Sequence, residues 1–400
     1  MPSQTTADTR ARFAVAGVFL TNGALFANVV PRFPEIKASL GLGNAALGTA
    51  LAAFPLGALV AGLFAPALIN RFRSSRVAAL GIVVLAVALA AVALAGNWLT
   101  FAAVMLVAGA LDSVIDVAQN THGLRVQRRY GRSIVNSFHG VWSIGAVAGG
   151  LMGSAAAGLS VPLGWHMLAS SALFSVVALV CYRFMLPGDD DTERVQEEAP
   201  VTVARRFRGP TVRLLVAFGV LAACGALVED AGSSWGAVYL SGSLGAGAAT
   251  AGLAFVSLQV AMTAGRLLGD RVIDRYGQRP VVRAGGALTA VGLGFALAVP
   301  AVWTTLVGFA LAGLGVATLI PAAMHSADEL PGLPSGVGLT VVSWMLRIGS
   351  LASPPLVGVV ADAVSLRVGL LSVVVAGLVV LVLGRVMANN THHSPAPDPG

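Results

Sequence analysis

Charged residues are scarce in this chain, and their scarcity argues against a soluble globular protein. Only 11% of the 400 residues are charged and 56% are hydrophobic, whereas soluble domains carry about a quarter charged residues. The few charges are clustered, which leaves charge-free stretches at 77–111, 133–182, 231–265 and 284–327. Because a bilayer crossing needs about 20 apolar residues in a helix, each stretch holds one or two membrane spans.

Lysine and cysteine are nearly absent as well. The single lysine, Lys37, is followed by Ala38, so the chain has no P-loop, whose lysine precedes Ser or Thr, and an ATP-driven pump is excluded. Cys181 and Cys224 both fall in apolar runs and are interpreted as small hydrophobic residues rather than as a disulfide or metal site. We expect neither a metal nor a cofactor.

The positive net charge belongs to membrane topology rather than to nucleic-acid binding. The net charge is +7, but the basic residues lie in short clusters between apolar runs, and no nucleic-acid reader motif is present. The expected partners are a lipid bilayer and a small-molecule solute, with protons as a candidate coupling ion. No nucleic-acid partner is expected, and the chain is expected to be a monomer.

The apolar runs, broken at glycine, proline and charge clusters, predict an all-α membrane protein with twelve transmembrane helices. The predicted spans are 13–30, 47–69, 77–95, 99–118, 134–159, 165–186, 211–232, 250–268, 281–297, 302–323, 336–360 and 368–387. They form an N-terminal six-helix bundle in 1–186 and a C-terminal one in 211–387. The charged stretch 187–210 is expected to be a cytoplasmic linker, and 388–400 a disordered cytoplasmic tail.

The basic residues predict the orientation of these helices. If both termini are cytoplasmic, only Arg32, Lys37 and Arg367 face outward, Arg347 lies within a span, and the other Lys and Arg residues of the 25 face the cytoplasm. This asymmetry follows the positive-inside rule. It predicts a multi-pass protein of the bacterial inner membrane with both termini in the cytoplasm.

Three pairs of short motifs recur at one constant spacing of 204 residues and indicate a parallel duplication of a six-helix unit. Asn70-Arg71 corresponds to Asp274-Arg275 after the second helix of each half. Leu47-Gly48 corresponds in the same way to Ala251-Gly252, and Ile144-Gly145 to Ile348-Gly349.

The segment GDRVIDRYGQRP at 269–280 resembles the loop signature of the major facilitator superfamily. Its first copy, INRFRSSR at 69–76, has Asn70 in place of the usual acid and Arg73 in place of the glycine. Residues 32–51 and 116–150 are similar to the MosC-like bacterial branch of that superfamily. The resemblance implies two six-helix bundles that expose a central cavity to one side of the membrane at a time.

Ionisable side chains inside spans are candidates for function because they cost about 2.5 to 3.5 kcal/mol at the bilayer centre even on mild scales. Asp112, His139 and Arg347 are expected in a substrate or proton-coupling site. Neutral side chains suited to binding a small polar solute are Asn22, Gln259, Trp142 and Trp344. For His139 a neutral hydrogen-bond donor in a helix contact is the alternative, and for Arg347 a structural ion pair with Asp112 as the leading partner.

Other polar residues are expected to act as a gate or latch. Asp116 is one turn from Asp112, so it either shares the proton site or pairs with Arg71 or Arg275 at the cytoplasmic ends of the helices. The loop residues Asn70 and Asp274 belong to the same latch. Glu229 and Asp230, placed near the outer end of the seventh span, are expected to form an outer gate or else a solvated loop edge.

Together these features predict a secondary transporter that moves a small polar solute by alternating access. A drug/proton antiporter and a non-transporting receptor remain alternatives, the latter because the first loop motif is degraded. An intramembrane hydrolase is a rival from another class, because 232–236 fits G-x-S-x-G, although that motif requires a strand-to-helix turn.

The orientation is testable with reporter fusions at Gly400 and near Arg194. Both fusions should report a cytoplasmic location because of the asymmetry of basic residues. A fusion after Leu42, in the first predicted outer loop, is the matched control and should report the outside. An outside signal at both Gly400 and Arg194 would overturn the topology.

Overall fold

The part of the chain that the structure describes forms twelve long apolar helices, as predicted. The computed structural model describes residues 6–130, 134–188, 190, 209–330, 333 and 336–387, so most of the predicted linker and the whole tail at 388–400 lie outside the described residues. We label the helices α1 to α12 in chain order: Thr6–Ser39, Asn44–Gly62, Ser74–Leu94, Trp98–Tyr130, Val135–Gly158, Leu163–Tyr182, Gly209–Leu244, Ala248–Tyr276, Gln278–Ala298, Val302–Asp328, Val337–Ala363 and Leu366–Val386.

Two helices run well beyond their predicted ends. The prediction ended the seventh span at residue 232, after the polar pair Glu229 and Asp230, whereas α7 continues to Leu244. Glu229 therefore lies about 22 Å along the helix axis from the end of α7. Helix α4 likewise continues to Tyr130. The prediction was wrong here because hydropathy cannot separate a polar residue in the protein interior from one in a loop.

The described chain groups by its contacts into two compact units. Unit 1 comprises residues 1–200, 230–259 and 350–369, and unit 2 comprises 201–229, 260–349 and 370–400. Unit 1 thus contains the first six helices, the parts of α7, α8 and α11 nearest their predicted outer ends, and the first turn of α12. The division of the sequence into two bundles joined at 187–210 stays a prediction.

Within unit 1, a glycine stripe brings α5 into backbone contact with α1. A Cβ added at Gly145 would overlap the carbonyl oxygen of Leu20, and one at Gly149 would overlap that of Ala24. One turn further on, a Cβ at Gly153 would lie 2.5 Å from the carbonyl oxygen of Asn28. Lipid-embedded helices use small residues in this way because apolar side chains give them little drive to associate.

Within unit 2, α9 makes the same kind of contact with two neighbours. A Cβ at Gly285 would overlap the carbonyl oxygen of Gly315 in α10, and the reverse contact is equally close. A Cβ at Gly286 would lie 2.7 Å from the carbonyl oxygen of Gly377 in α12. Glycine at these positions lets three helices approach at the distance of their backbones.

The turn after the second helix of each sequence half has the same backbone conformation. Gly277 precedes α9 with φ 84° and ψ 156°, and its counterpart Arg73 precedes α3 with φ 73° and ψ 144°. Each residue donates its N–H over 2.7 Å to the carbonyl oxygen four residues earlier, Ile273 and Ile69. This region of φ and ψ belongs almost entirely to glycine. The degraded motif has therefore lost its glycine but kept the turn.

A buried polar cluster holds the start of α3 within unit 1. Asp190 accepts hydrogen bonds from the backbone N–H of Ser74 (2.7 Å) and from its hydroxyl (2.5 Å). His122 Nε2 accepts from the N–H of Leu186 (3.2 Å), so its Nδ1 carries the proton and donates to Ser74 Oγ (2.9 Å). Arg125 donates to the carbonyl oxygen of Pro187 (2.7 Å). The chain leaving α6 is thus tied to α3 and α4.

The count of basic residues assumed that Arg32 lies in an outer loop, but the structure places it within helix α1. It closes the 3-10 turn Val30–Arg32 inside α1 and is 1% exposed. Its Nη2 lies 2.8 Å from the carbonyl oxygen of Val161 and 2.6 Å from the carboxylate of Glu35. A buried guanidinium needs such partners because it cannot lose its proton.

The strained turn at Arg73 gives a stability prediction. We expect Arg73→Gly to be more stable than Arg73→Ala by about 1 to 3 kcal/mol, because both variants lose the side chain beyond Cβ and only glycine relieves the backbone. Thermal unfolding of the two purified variants measures the difference. At the counterpart position Gly277→Ala should lower the unfolding temperature. Equal stability of the two Arg73 variants would show that the turn is not strained.

Candidate functional site

A hydrogen-bonded cluster in unit 1 is centred on Asp112, near the middle of α4. Asn22 of α1 donates from Nδ2 to Asp112 Oδ1 (2.8 Å). The Oδ1 atom of Asn22 accepts from Nε1 of Trp142 on α5 (2.8 Å) and from Gln119 Nε2 (3.5 Å). Asn22 is 3% exposed. Its amide therefore has one fixed orientation, with the donor side on the carboxylate and the acceptor side on the indole.

The cluster continues along α4 to a second carboxylate and a histidine. Asp116 Oδ1 accepts from Gln119 Nε2 (3.2 Å) and from Asn120 Nδ2 (3.1 Å). Asn120 Oδ1 lies 3.1 Å from Nε2 of His139 on α5. Because an amide oxygen only accepts, Nε2 is the protonated ring nitrogen in this contact. We call Asn22, Asp112, Asp116, Gln119, Asn120, His139 and Trp142 the Asp112 cluster.

Backbone contact between α1 and α5 positions the centre of the cluster. A Cβ on Gly23, next to Asn22, would overlap the carbonyl oxygen of Trp142, and the stripe at Gly145 continues that contact. The two helices are therefore as close as backbones allow beside the Asn22–Trp142 hydrogen bond. A larger residue at Gly23 would push apart the two helices that carry the donor and the acceptor.

Burial differs across the cluster. Gln119 is fully buried and Asn22 nearly so, Asp112 and Trp142 are half-buried, and Asp116 and His139 are exposed. The exposed end lies toward the predicted cytoplasmic end of α4. The cluster thus extends from the exposed side chains of Asp116 and His139 to the half-buried carboxylate of Asp112 near the middle of α4. A solute or a proton would meet a polar surface there, inside a largely apolar protein.

The structure brings Asn22, Asp112, Asp116, His139 and Trp142 together within unit 1. Gln259 lies in the unit 1 part of α8 and is 2% exposed. Arg347 and Trp344 lie on the unit 2 part of α11, where Trp344 is 42% exposed and Arg347 is half-buried. Within the described residues of unit 2, Arg347 has no ion-pair partner.

The loop residues of the predicted latch are exposed in each unit. In unit 1 these are Asn70 and Arg71, and the Arg71 guanidinium lies over the ring of Phe72 at 5.7 Å without an ion pair to any residue that the structure describes there. Their counterparts in unit 2 are Asp274 and Arg275, and the Arg275 guanidinium lies over the ring of Tyr276 at 5.4 Å. Asp116, in unit 1, accepts hydrogen bonds from Gln119 and Asn120. The latch itself stays a prediction.

Glu229 forms an ion pair that the sequence analysis missed. In unit 2 its carboxylate lies 3.6 Å from Nη2 of Arg266 on α8, and both side chains are about one-third exposed. Arg266 was counted among the basic residues facing the cytoplasm, although it fell within the predicted span 250–268. Its position inside that span was the available signal. Asp230 is half-buried and belongs to unit 1.

The G-x-S-x-G segment does not form a hydrolase site. Residues 232–236 are continuous helix in the middle of α7, and Ser234 is 7% exposed. The motif needs a sharp strand-to-helix turn that presents the serine to substrate, so this rival interpretation is wrong.

Gln119 and Asn120 are the site residues that sequence reasoning missed. They follow Asp112 and Asp116 at helical spacing, so that Asp112, Asp116 and Asn120 lie on one face of α4 with Gln119 beside them. That spacing gave no signal because the predicted span ended at residue 118, whereas the helix continues through Gln119 and Asn120 to Tyr130.

Comparison with known proteins identifies the family. The Major Facilitator Superfamily profile matches residues 15–229 and 230–400. The chain belongs to the major facilitator superfamily. The chain is similar to the membrane protein MosC of Rhizobium meliloti, with 28% identity over 391 residues that cover 96% of this chain and 92% of MosC. An uncharacterized MFS-type transporter of Yersinia pestis is 27% identical over 360 residues, 90% of each chain.

Solved structures share the fold. A bacterial homologue of the human lysosomal transporter Spinster, in an inward-facing and unoccupied conformation, gives a TM-score of 0.76 at 14% identity, over 96% of this chain and 98% of that one. A D-xylose–proton symporter gives 0.72 at 16% identity, over 94% and 96%. The predicted major facilitator fold is confirmed, and the protein is a multi-pass membrane transporter rather than an enzyme.

Proposed function

We propose that this major facilitator protein is a proton-coupled secondary transporter that carries a small polar solute across the bacterial inner membrane, with both termini in the cytoplasm. The observation that carries the proposal is the Asp112 cluster. A carboxylate near the middle of α4 is hydrogen-bonded by Asn22 of α1, which is in turn bonded by Trp142 of α5. Three helices thus converge on one ionisable group where an isolated charge would be costly.

The chemistry of the cluster suits a small solute with hydroxyl or amide groups. Amide side chains both donate and accept hydrogen bonds, and an indole offers a donor and an apolar face. Amides do not transfer protons along a chain as readily as imidazole or carboxylate groups do. The proton is therefore assigned to Asp112, and His139 is the second candidate at the exposed end of the cluster.

Likeness to other transporters supports the class but not the solute. One structure with the same fold is named a D-xylose–proton symporter and another the nucleoside transporter NupG; both names describe solutes rich in hydroxyl groups. Drug/proton exchange and a receptor without transport are the competing functions. A thermal-shift screen of purified protein over sugars, polyols, amino acids and toxic cations would find the ligand. Counterflow would then separate a carrier, which exchanges solute, from a receptor, which only binds it.

The coupling role of Asp112 is tested by Asp112→Asn. With the solute found by the screen, the variant should lose accumulation driven by a pH gradient, because asparagine carries no exchangeable carboxyl proton. Counterflow in proteoliposomes should persist, because exchange needs no net proton movement. Gradient-driven accumulation and counterflow are both measured on the same preparation of proteoliposomes.

Asp116→Asn is the matched control for that experiment. It makes the same chemical change one helical turn away, at an exposed carboxylate, and gradient-driven accumulation should survive in it. Unchanged accumulation in Asp112→Asn would remove Asp112 from the coupling mechanism. Loss in Asp116→Asn but not in Asp112→Asn would move the proton site to Asp116.

We further propose that Arg347 grips a carboxylate or hydroxyl group of the solute. It lies in the middle of α11 and has no ion-pair partner among the described residues of unit 2, and arginine cannot shed its charge. Arg347→Ala should abolish solute-induced thermal stabilisation while the variant still folds. Arg347→Lys, which keeps the charge but not the planar fork of donors, should retain part of it.

The structural alternative for Arg347 is an ion pair with an intramembrane acid, with Asp112 as the leading partner. For a structural pair, Arg347→Ala and Asp112→Ala should each lose expression, and the double variant should fold better than either one because no charge is left unpaired. If Arg347→Ala folds, binds and transports like the wild type, both the pair and the grip on solute fail.

A further inference from the structure

A carboxylate near the end of α11 caps the first turn of α2. Asp362 Oδ1 accepts hydrogen bonds from the backbone N–H and from Nδ2 of Asn44, both at 2.9 Å, and its Oδ2 accepts from the N–H of Ala45 at 2.8 Å. The first N–H groups of a helix have no partner within it, and a negative charge there meets the positive end of the helix dipole. The cap joins residues of the two sequence halves, both in unit 1.

Backbone contacts also hold α2 against α11 next to this cap. A Cβ on Gly48, one turn into α2, would overlap the carbonyl oxygen of Pro354, and a Cβ on Gly358 would lie 2.5 Å from the carbonyl oxygen of Asn44. We call this contact the α2–α11 seam; it consists of Asn44, Ala45, Gly48, Pro354, Gly358 and Asp362. The seam lies at the predicted outer ends of both helices.

The counterpart of this seam in the internal repeat is the contact between α8 and α5. It has no carboxylate at the position that corresponds to Asp362. At the spacing of the duplication, Ala249 corresponds to Ala45 and Gly158 to Asp362. A Cβ on Gly158 would lie 2.6 Å from the Cβ of Ala249, and a Cβ on Gly252, the counterpart of Gly48, would overlap Ser154. Both seams are closed by small residues, and Asp362 is a feature of one of them alone.

We propose that Asp362 is a gating residue that holds the α2–α11 seam closed and so sets how often this end of the transporter opens. The proposal rests on the proposed transport function, because alternating access requires the seam to separate in part of the cycle. Separation breaks three hydrogen bonds to one carboxylate, so removing that carboxylate shifts the population toward the open state. Asp362 is exposed, and competition with water keeps the cap weak enough to release.

A cysteine placed behind the seam reports its opening. Ala52 lies one turn beyond Gly48 on the same face of α2 and is 8% exposed. Ala52→Cys is made in a background in which Cys181 and Cys224 are replaced by Ala, and the full-length protein in lipid nanodiscs is labelled with N-ethylmaleimide. We expect Asp362→Ala to speed labelling about tenfold, the range over which loss of a helix cap changes an equilibrium.

Three further variants separate gating from loss of structure. Asn44→Ala removes one of the three hydrogen bonds and should speed labelling about two- to threefold. Asp362→Glu keeps the charge and should restore slow labelling in part. Asp328→Asn is the matched control, since Asp328 is also an exposed acid that accepts a backbone N–H, from Gly336 at 2.9 Å, but lies in unit 2; it should label at the wild-type rate.

The readout distinguishes an opened seam from a frayed helix end. Loss of a cap that acts only locally would loosen the first turn of α2 and lower the melting temperature without exposing the reporter thiol, which is placed two turns further in. Wild-type labelling in folded Asp362→Ala, or in Asn44→Ala if the first variant does not fold, would overturn the gating role. If labelling responds to Asp362 while no solute is ever exchanged, the gate stands and the transport proposal fails.

Discussion

Contact between helix backbones is the constraint on which the rest of this structure depends. In a membrane, apolar side chains give helices little reason to prefer one another over lipid, so close packing and interhelical hydrogen bonds must hold them together. The chain meets this need with 48 glycines, which place carbonyl oxygens against Cα atoms along α1 and α5 and between α9 and its neighbours. Side-chain chemistry is then confined to the places where this contact holds two helices at a fixed distance.

In the Asp112 cluster, the close approach of two helices positions the side chains that form hydrogen bonds. Gly23 lets α1 touch α5 at Trp142, and within the same turn Asn22 reaches both Trp142 and Asp112 at 2.8 Å. An amide that donates on one side and accepts on the other links a carboxylate to an indole without carrying a charge itself. A change of charge at Asp112 would act first on Asn22, which lies in the tight contact between α1 and α5.

The sequence was sufficient for the features that depend on many residues together. The number of helices, the all-α class and the superfamily each follow from long apolar runs or from a motif of twelve residues, and all three are confirmed. Single polar positions were harder to predict. Glu229 and Asp230 look like the end of a span because hydropathy averages over all sides of a helix, whereas α7 continues past them to Leu244.

Burial of individual side chains was the other quantity that the sequence could not supply. Arg32 looks like a loop residue because it falls between the predicted spans 13–30 and 47–69, yet it is 1% exposed and paired with Glu35. Gln119 carries no charge to attract notice, yet it is fully buried between two functional candidates. Both depend on which neighbouring helix covers the position, and that information is long-range in sequence.

The two halves of the sequence have a turn of the same backbone conformation, but they carry different polar and charged residues at equivalent positions. These differences indicate where function is to be sought. Arg73 and Gly277 adopt one turn with different residues, and the duplication places Gly158 opposite the position of Asp362 and Ser143 opposite that of Arg347. A repeat that served packing alone would keep the same small residues in both copies. A charge inside a span costs energy in a membrane, so we expect Asp112 in the first half and Arg347 in the second to serve different tasks of the two halves. The carboxylate that caps α2 is a further difference between the halves, at an exposed helix end.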